Sequence, residues 1–268
     1  MKNRFFLLLF FTSIFSYSQN KNIENRKGKI TILWGWNRGW YSNSDIHFTG
    51  ENYDFTLDNV IAKDRQTKFD PAIYFHPKRI TIPQTNLRIG YFIKDNYEIS
   101  VGDDHMKYVV QQNQEVRIDG QIKNTGTNYD GIYKNDTVKI KDDFLQFEHT
   151  DGLNYINLEF RRFDNIFSYK NIELNIAEGI GIGFLLPRTS SSLLNNERYD
   201  QFHLSGYGIS SVIAINLNYK RYFIQSELKG GFINMSDVRT TNNSADKASQ
   251  HFFFSQANFL IGVTFRLN

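Results

Sequence analysis

Two short stretches of the chain concentrate side chains that could bind a metal ion or move protons. The first is DDHMK at residues 103–107, and the second is EHTDG at residues 148–152. Imidazole and carboxylate groups bind divalent cations, and they also act as general acids and bases. The candidate catalytic residues are Asp104, His105 and His149, and the candidate metal ligands are His105, His149 and Asp151. Neither stretch has the spacing of a specific metal motif, so a structural role, in which His–Asp pairs hold loops in place, is the preferred interpretation.

The elements that position these residues are β-strands, because alternation with a period of two is the dominant pattern in the sequence. From residue 256 to residue 267, the odd positions are all apolar and the even positions are mostly polar or small. The same pattern recurs often enough to predict eight strands. Their expected ranges are 29–41, 85–93, 97–111, 153–166, 172–186, 203–219, 223–235 and 255–268.

The alternation slips inside the third of these strands. Ile99 and Val101 lie on one face, but Tyr108 and Val110 do not keep the same parity. A β-bulge near Asp103-Asp104 would restore the pattern, and bulges cluster at barrel rims and beside functional sites. Across the hairpin, the EHTDG stretch is expected to come close to this point.

The connections between the predicted strands alternate in length. Short turns lie at 94–96, 167–171 and 220–222, whereas long polar stretches lie at 42–84, 112–152, 187–202 and 236–250. Short turns on one side and long loops on the other are typical of an outer-membrane barrel. The prediction is therefore an all-β fold, an eight-stranded antiparallel up-and-down transmembrane β-barrel with two long extracellular loops at 42–84 and 112–152. A soluble β-sandwich is the alternative.

The two longest loops contain strand-like runs of their own, at 46–65 and 115–143. The dipeptides Asp119-Gly120 and Asn135-Asp136 suit hairpin turns. Loops of this kind would extend the barrel wall above the membrane and form a binding surface.

Charged side chains fall in equal numbers on the polar face of the predicted strands. By alternation, the acids that point into the barrel are Glu98, Glu159, Glu173 and Glu227, and the bases are Arg88, Arg161, Lys229 and Arg266. An eight-stranded barrel is filled by side chains, and unpaired buried charge is costly. The sequence therefore predicts a lumenal salt-bridge network that closes the pore. Inward-facing glycines at 179, 181 and 183 would make room for its long side chains.

The N-terminal residues have the pattern of a secretory signal peptide. Lys2 and Arg4 precede an apolar run at residues 5–15, which is too short to span a membrane and is followed by small residues. The predicted division is a signal peptide at 1–18 and an outer-membrane barrel at 19–268. Without Lys2 and Arg4 the formal net charge falls from +3 to +1, which argues against a nucleic-acid partner. The chain has no cysteine, so no disulfide stabilises it.

The whole mature chain resembles the small eight-stranded barrels of the OmpA-type membrane domain, OmpX and OmpW. The last strand carries Phe265 and Leu267 on its apolar face, which resembles the terminal assembly signal of outer-membrane barrels, although Asn268 follows where Phe is commonest. The leader resembles those of Bacteroidota, which often end in Ser-Gln, as Ser18-Gln19 does. The resemblance implies an integral outer-membrane protein of a Gram-negative cell, inserted by the barrel-assembly machinery.

His203 and Ser205 are two further catalytic candidates. Alternation places both side chains toward lipid at the outer end of the sixth predicted strand. A lipid-facing His–Ser pair resembles the outer-membrane lipid A deacylase, another eight-stranded barrel, in which serine is the nucleophile and histidine the base. Gly206 stands where that family has asparagine, and residues 216–219 lack the carboxylate that the family's pattern would place there.

These expectations combine into an outer-membrane protein with a structural or surface-binding role and a closed lumen. The alternative is an outer-membrane enzyme that acts on lipid A or phospholipid through its rim His, Asp and Ser residues. The expected partners are outer-membrane lipid, lipopolysaccharide, the assembly machinery and an extracellular ligand. The only cofactor that the sequence suggests is a divalent metal at the extracellular rim. A small-solute channel conflicts with the predicted network of charges in the lumen.

Overall fold

The computed structural model describes residues 25–79, 82–196 and 199–266. The predicted signal peptide at 1–18 and Leu267 of the predicted assembly signal lie outside these residues. The described part consists mainly of antiparallel strands with almost no helix, which confirms the prediction of an all-β, antiparallel chain. No helix in this part of the chain is long and apolar enough to cross a membrane.

The described residues form seventeen strands, one short helix and one turn of 3₁₀ helix. The strands are β1 (Lys29–Tyr41), β2 (Ser44–Gly50), β3 (Tyr53–Val60), β4 (Ala62–Lys63), β5 (Thr85–Lys94), β6 (Tyr97–His105), β7 (Tyr108–Val110), β8 (Glu115–Ile122), β9 (Gly131–Lys139), β10 (Leu145–His149), β11 (Tyr155–Tyr169), β12 (Ile172–Leu185), β13 (Arg188–Leu193), β14 (Tyr199–Phe202), β15 (Gly206–Tyr219), β16 (Tyr222–Arg239) and β17 (Lys247–Arg266). The helix α1 is Pro71–Tyr74, and the 3₁₀ turn is Pro77–Arg79.

Eight of the strands pair side by side in a closed order, and we call this set of strands the ring. Its order is β1, β5, β6, β11, β12, β15, β16 and β17, and β17 also pairs with β1. Short turns join β5 to β6, β11 to β12 and β15 to β16 at one end. Lys29 pairs with Arg266 at the same end, so the first and last described strands begin and finish beside these turns.

The ring has an apolar outer face and a polar inner face. On β15, Ile209 and Ile215 are more than half exposed, whereas Ser210 and Asn216 are buried. A soluble sheet buries its isoleucines and exposes its amides, so this distribution is inverted. Alternation with a period of two produces it directly, because successive side chains of a strand point to opposite faces.

The strands outside the ring form a folded unit at its other end, which we call the head. It consists of β2–β4, β7–β10, β13 and β14. The strands β2, β3, β8 and β9 continue the ring sheet outward from β17, and β14, β13, β10, β7 and β4 form a second sheet. Phe48 of the first sheet stacks on Phe55 and meets Phe147 of the second sheet edge-on, at ring-centroid distances of 5.2 and 5.7 Å. The two sheets therefore enclose a hydrophobic core.

The prediction that 42–84 and 112–152 are long loops is wrong for most of their length. These stretches supply six head strands, β2–β4 and β8–β10, and alternate residues of β2, β3, β8 and β10 are buried. The hairpin turns predicted at Asp119-Gly120 and Asn135-Asp136 are also wrong, because Gly120 lies within β8 and Asn135 within β9. Both residues adopt positive φ, 123° and 57°, beside a register shift in the β8–β9 pairing. The connection between these strands runs through 123–130 instead.

The bulge predicted near Asp103-Asp104 is absent. Asp103 pairs with Ile156 and Asp104 with Tyr155 in unbroken register, and the same holds on the β5 side. The alternation breaks because β6 ends at His105 and the chain crosses into the second sheet as β7. One predicted strand, 97–111, is therefore two strands in different sheets.

Candidate functional site: the ionic interior of the ring

A group of buried charged side chains fills the middle of the ring. Six of the eight residues predicted for the lumen belong to it: Arg88, Glu98, Glu159, Arg161, Glu227 and Lys229. Each of these six side chains is at most 5 % exposed. They come from four ring strands, β5, β6, β11 and β16. We call this group, together with Asp104, the ionic cluster.

Glu159 is the centre of the ionic cluster. Its carboxylate oxygens lie 2.9 Å from Arg88, 2.6 Å from Arg161 and 2.6 Å from Lys229, measured to the nearest charged nitrogen. Arg161 also pairs with Glu227 at 2.9 Å. Three cations thus converge on one carboxylate, and that arrangement repays part of the cost of removing these charges from water.

Polar groups complete the contacts around this centre. Asn258 of β17 and Gln225 each donate to the Glu227 carboxylate at 2.8 Å, and Arg88 donates to the Asn157 side-chain oxygen at 2.7 Å. Glu98 accepts a hydrogen bond from the hydroxyl of Thr31. Buried polar groups of this kind stabilise the fold only when their hydrogen-bond partners are present.

Asp104 belongs to the ionic cluster rather than to a rim site. It is 1 % exposed, it pairs with Lys229, and one of its oxygens lies 3.7 Å from Arg88. The sequence did not predict this role, because the break in alternation after Val101 indicated a bulge at Asp103-Asp104. Asp104 has the same parity as Glu98, so uninterrupted alternation would have placed it on the inner face.

Glu173 and Arg266 do not join the ionic cluster. Glu173 pairs at 3.2 Å with Arg26, which precedes the first strand and had no alternation signal. Arg266 is exposed and donates to the backbone oxygen of Lys27 at 2.8 Å. Both lie at the end of the ring that carries the short turns.

Glycines on β12 admit the long side chains. A Cβ atom on Gly179 would stand 2.8 Å from Cγ of Arg161, and one on Gly181 would stand 2.9 Å from Cγ of Glu159. These distances are shorter than ordinary van der Waals contact, so the two glycines are needed for close approach. Both are among the inward-facing glycines that were predicted to make room for the network.

A cavity of about 320 Å³ lies inside the ring between the ionic cluster and the short turns. Basic residues Arg26, Lys29, Lys220 and Arg221 line it, and Glu98 and Thr31 lie at its inner side. The Arg26 guanidinium lies over the Phe92 ring at 5.7 Å. The cavity is therefore an open vestibule at one end, and the ionic cluster separates it from the head.

The structure does not assemble the metal ligands predicted at the rim. His105 Nδ1 is 2.8 Å from the Asn154 side-chain oxygen, His149 Nδ1 is 3.1 Å from the Thr189 hydroxyl, and Asp151 faces Arg188 at 3.6 Å. Within the described ranges, no group of three or more His, Asp or Glu side chains could hold a metal ion. Each predicted ligand is directed to a different partner.

His149 is fully buried in the head core. Its ring packs beside Phe147 and Tyr108, and burial lowers the pKa of His149 from its usual 6.5 to about 3. The imidazole is therefore neutral at physiological pH. Its side chain fills space in the core between β7 and β10.

We predict that His149 makes the head sensitive to acid. The unfolded head binds a proton at His149 below about pH 6.5, whereas the folded head does not bind it above about pH 3, so stability falls as pH falls through this window. The slope is at most about 1.4 kcal/mol per pH unit. In His149→Gln the protection of β10 and β13 amides against hydrogen exchange should change less between pH 6.5 and 4.5. Equal slopes in both proteins, after correction for intrinsic exchange, would contradict this.

His203 and Ser205 do not form a nucleophile–base pair. Ser205 is 1 % exposed, and its hydroxyl donates to the backbone oxygen of His203 at 3.2 Å rather than to the imidazole. The imidazole instead lies 3.2 Å from a carboxylate oxygen of Asp237. The expected lipid-facing position is wrong for Ser205, because β15 begins only at Gly206 and the chain before it turns into the head.

Comparisons with known proteins return barrels of the outer membrane. The outer membrane protein OprG from Pseudomonas aeruginosa is 9 % identical with a TM-score of 0.40, over 91 % of this chain and 98 % of that chain. The outer membrane protein AlkL is 10 % identical with a TM-score of 0.38, over 94 % and 97 %. Ail, the attachment invasion locus protein of Yersinia pestis, is 11 % identical with a TM-score of 0.29, over 87 % and 99 %.

No family model and no curated protein matches the sequence. Identities near 10 % and TM-scores below 0.5 identify neither a family nor a function. What the chain does must therefore be inferred from its own strands and side chains.

Proposed function

We propose that this chain is an integral outer-membrane protein whose ring is a closed, eight-stranded transmembrane barrel. The inverted distribution of its side chains is the observation that carries the proposal. Ile180, Ile182 and Leu228 are each more than 60 % exposed on the outer face, while Glu159 and Arg161 are 1 % exposed on the inner face. Exposed isoleucine and leucine on the outer face, combined with buried charge on the inner face, are favourable only if the solvent outside the ring is nonpolar. In water, both arrangements would be unfavourable.

The two ends of the ring support one orientation. The short turns and the ends of β1 and β17 lie at one end, and the head lies at the other. In outer-membrane barrels the short turns face the periplasm and the long connections face outward. The head would therefore project from the cell surface, where its exposed strands form a binding surface.

The ionic cluster supports a lumen that does not conduct. Charged and amide side chains from facing strands meet at hydrogen-bonding distances across the interior, and the vestibule ends at them. A permeating ion would have to displace contacts that are buried and mutually paired. We therefore assign a structural and surface-binding role to this protein rather than a role in transport.

Two measurements on one refolded sample test this proposal. We expect the folded protein to migrate differently from the boiled protein on a denaturing gel, and we expect no steady current when it is inserted in a planar bilayer. Identical mobilities, with the protein soluble without detergent, would refute the barrel. A stable single-channel conductance would leave the barrel intact and refute the closed lumen.

A further inference from the structure

A compact segment lies along the outside of the ring between β4 and β5. We call residues 66–79 the flap. Asp70 caps α1 by accepting a hydrogen bond from the Ala72 amide at 2.9 Å, and Pro71 follows at the first helical position. The Tyr74 hydroxyl donates to the Thr67 backbone oxygen at 2.7 Å, which closes the flap on itself.

The flap is fixed to the ring at its head end. Gln66 donates to the backbone oxygen of Asn37 at 3.2 Å, and the Gly39 amide donates to Asp64 at 3.0 Å, which holds the flap beside β1. On the other side, the Lys107 ammonium donates to the backbone oxygen of Ile82 at 2.8 Å. These contacts set the height of the flap at the upper part of the outer face.

Aromatic side chains of the flap continue the apolar outer face. Tyr74 and Phe75 pack on Trp36 of β1, with ring centroids 6.0 and 5.6 Å apart. Phe69 packs on Tyr74 at 5.1 Å. Phe69 and Phe75 are nevertheless 69 % and 64 % exposed. Two exposed phenylalanines beside a lipid-facing tryptophan are stable if they lie in the acyl layer.

Basic side chains flank these aromatics. Lys68, Lys78 and Arg79 are exposed on the flap, and Arg38 is exposed nearby on β1. Asp70 is the one acid in residues 66–79, and its carboxylate caps α1. Exposed phenylalanines beside exposed lysine and arginine side chains match an anionic amphiphile with acyl chains and with phosphates at its headgroup.

We propose that the flap is a binding site for lipid A, with Phe69 and Phe75 among its acyl chains and Lys68, Lys78 and Arg79 on its phosphates. This inference rests on the proposed function, since it needs the ring to span the outer membrane with the head outward. The outer leaflet is then the layer that meets the flap. Its phosphorylated glycolipid supplies both the acyl chains and the phosphates.

The test compares two triple variants with equal loss of charge. Lys68→Gln/Lys78→Gln/Arg79→Gln removes the flap cations, and Lys123→Gln/Lys134→Gln/Lys139→Gln removes three exposed lysines of the head. Each full-length protein in phosphatidylcholine nanodiscs is titrated with bis-phosphorylated lipid A and with dephosphorylated lipid A. The bound fraction is measured by native mass spectrometry. The gel-mobility shift is recorded on the same samples.

We expect wild type and the head variant to prefer the phosphorylated form by at least about tenfold, because each cation near an anionic headgroup contributes to binding. The flap variant should lose this preference, and Phe69→Ser/Phe75→Ser should bind both forms more weakly. An unchanged preference in the flap variant, or an equal loss in both triple variants, would overturn the inference. If the gel-mobility shift is normal when the lipid A inference fails, the proposed barrel is retained. A missing shift in wild type would instead refute the proposed function.

Discussion

Glu159→Gln should destabilise the ring by roughly 3 to 5 kcal/mol, because it removes the carboxylate on which three buried cations converge. Arg88, Arg161 and Lys229 would each lose a carboxylate contact of 2.6–2.9 Å, and the remaining acids of the ionic cluster, which lie on other sides of these cations, would not replace it. The measurement is the urea dependence of folding in lipid vesicles. Tryptophan fluorescence reports it, because all three tryptophans lie on β1.

Glu178→Gln is the matched control for this result. Glu178 follows Ala177 on β12 and lies opposite Arg162 in the β11–β12 register, and its side chain faces the outer surface rather than the ionic cluster. Neutralising it removes the same charge from the same sheet, and we expect a change below about 1 kcal/mol. Equal effects of the two substitutions would contradict the idea that the ionic cluster stabilises the ring.

A second substitution separates charge balance from shape. Lys229→Met removes a cation that contacts both Glu159 and Asp104. In the double variant with Glu159→Gln the interior regains its former net charge, so we expect part of the lost stability to return. If the loss of stability in the double variant equals the sum of the losses in Glu159→Gln and Lys229→Met, the two side chains do not interact, because coupling between residues appears as a departure from additivity.

Phe48→Ala should destabilise the head by roughly 3 to 5 kcal/mol and leave the ring folded. Phe48 is 0 % exposed, and it joins the two head sheets through its contacts with Phe55 and Phe147. The expected result is rapid proteolysis within residues 42–64 and 112–152, with a normal mobility shift of the remaining ring. Mass spectrometry of the fragments locates the cuts.

Ile132→Ala is the control for the head. Ile132 is 69 % exposed on β9, so its truncation leaves no cavity in the core. We expect its proteolysis to match that of wild type. Concerted loss of head and ring in Phe48→Ala would show that they fold as one unit, and would contradict the expectation that they are separable.

The local pattern of the chain determined the ring. Alternation with a period of two needs only neighbouring residues, because side-chain direction along a strand follows from backbone geometry. It placed six of the eight strands within four residues of their observed ends, whereas the predicted strand 97–111 is divided into β6 and β7 and the last strand begins earlier, at Lys247. Alternation put Arg88, Glu159, Arg161, Glu227 and Lys229 on one face. It also showed which face is apolar. Nothing beyond the order of residues was required for this.

Only the tertiary structure decided the head. Its first sheet needs β2 to pair with β17, and Ser44, Tyr108 and Gln250 meet there through hydrogen bonds although they lie far apart in sequence. Short strands in polar surroundings carry a weak local signal, and their stability comes from contacts across the core. In the 42–84 and 112–152 stretches the sequence therefore indicated strand-like runs at 46–65 and 115–143, but not the pairing that folds them into two sheets.

The functional residues divide in the same way. Alternation identified most of the ionic cluster. It did not identify Asp104, because the alternation of apolar and polar residues breaks where the chain crosses from β6 to β7. The rim histidines looked like one site in sequence, yet each is directed to a separate partner. Side-chain direction in a strand is fixed by local geometry, whereas convergence of side chains from separate strands depends on register and on where the chain leaves one sheet for another.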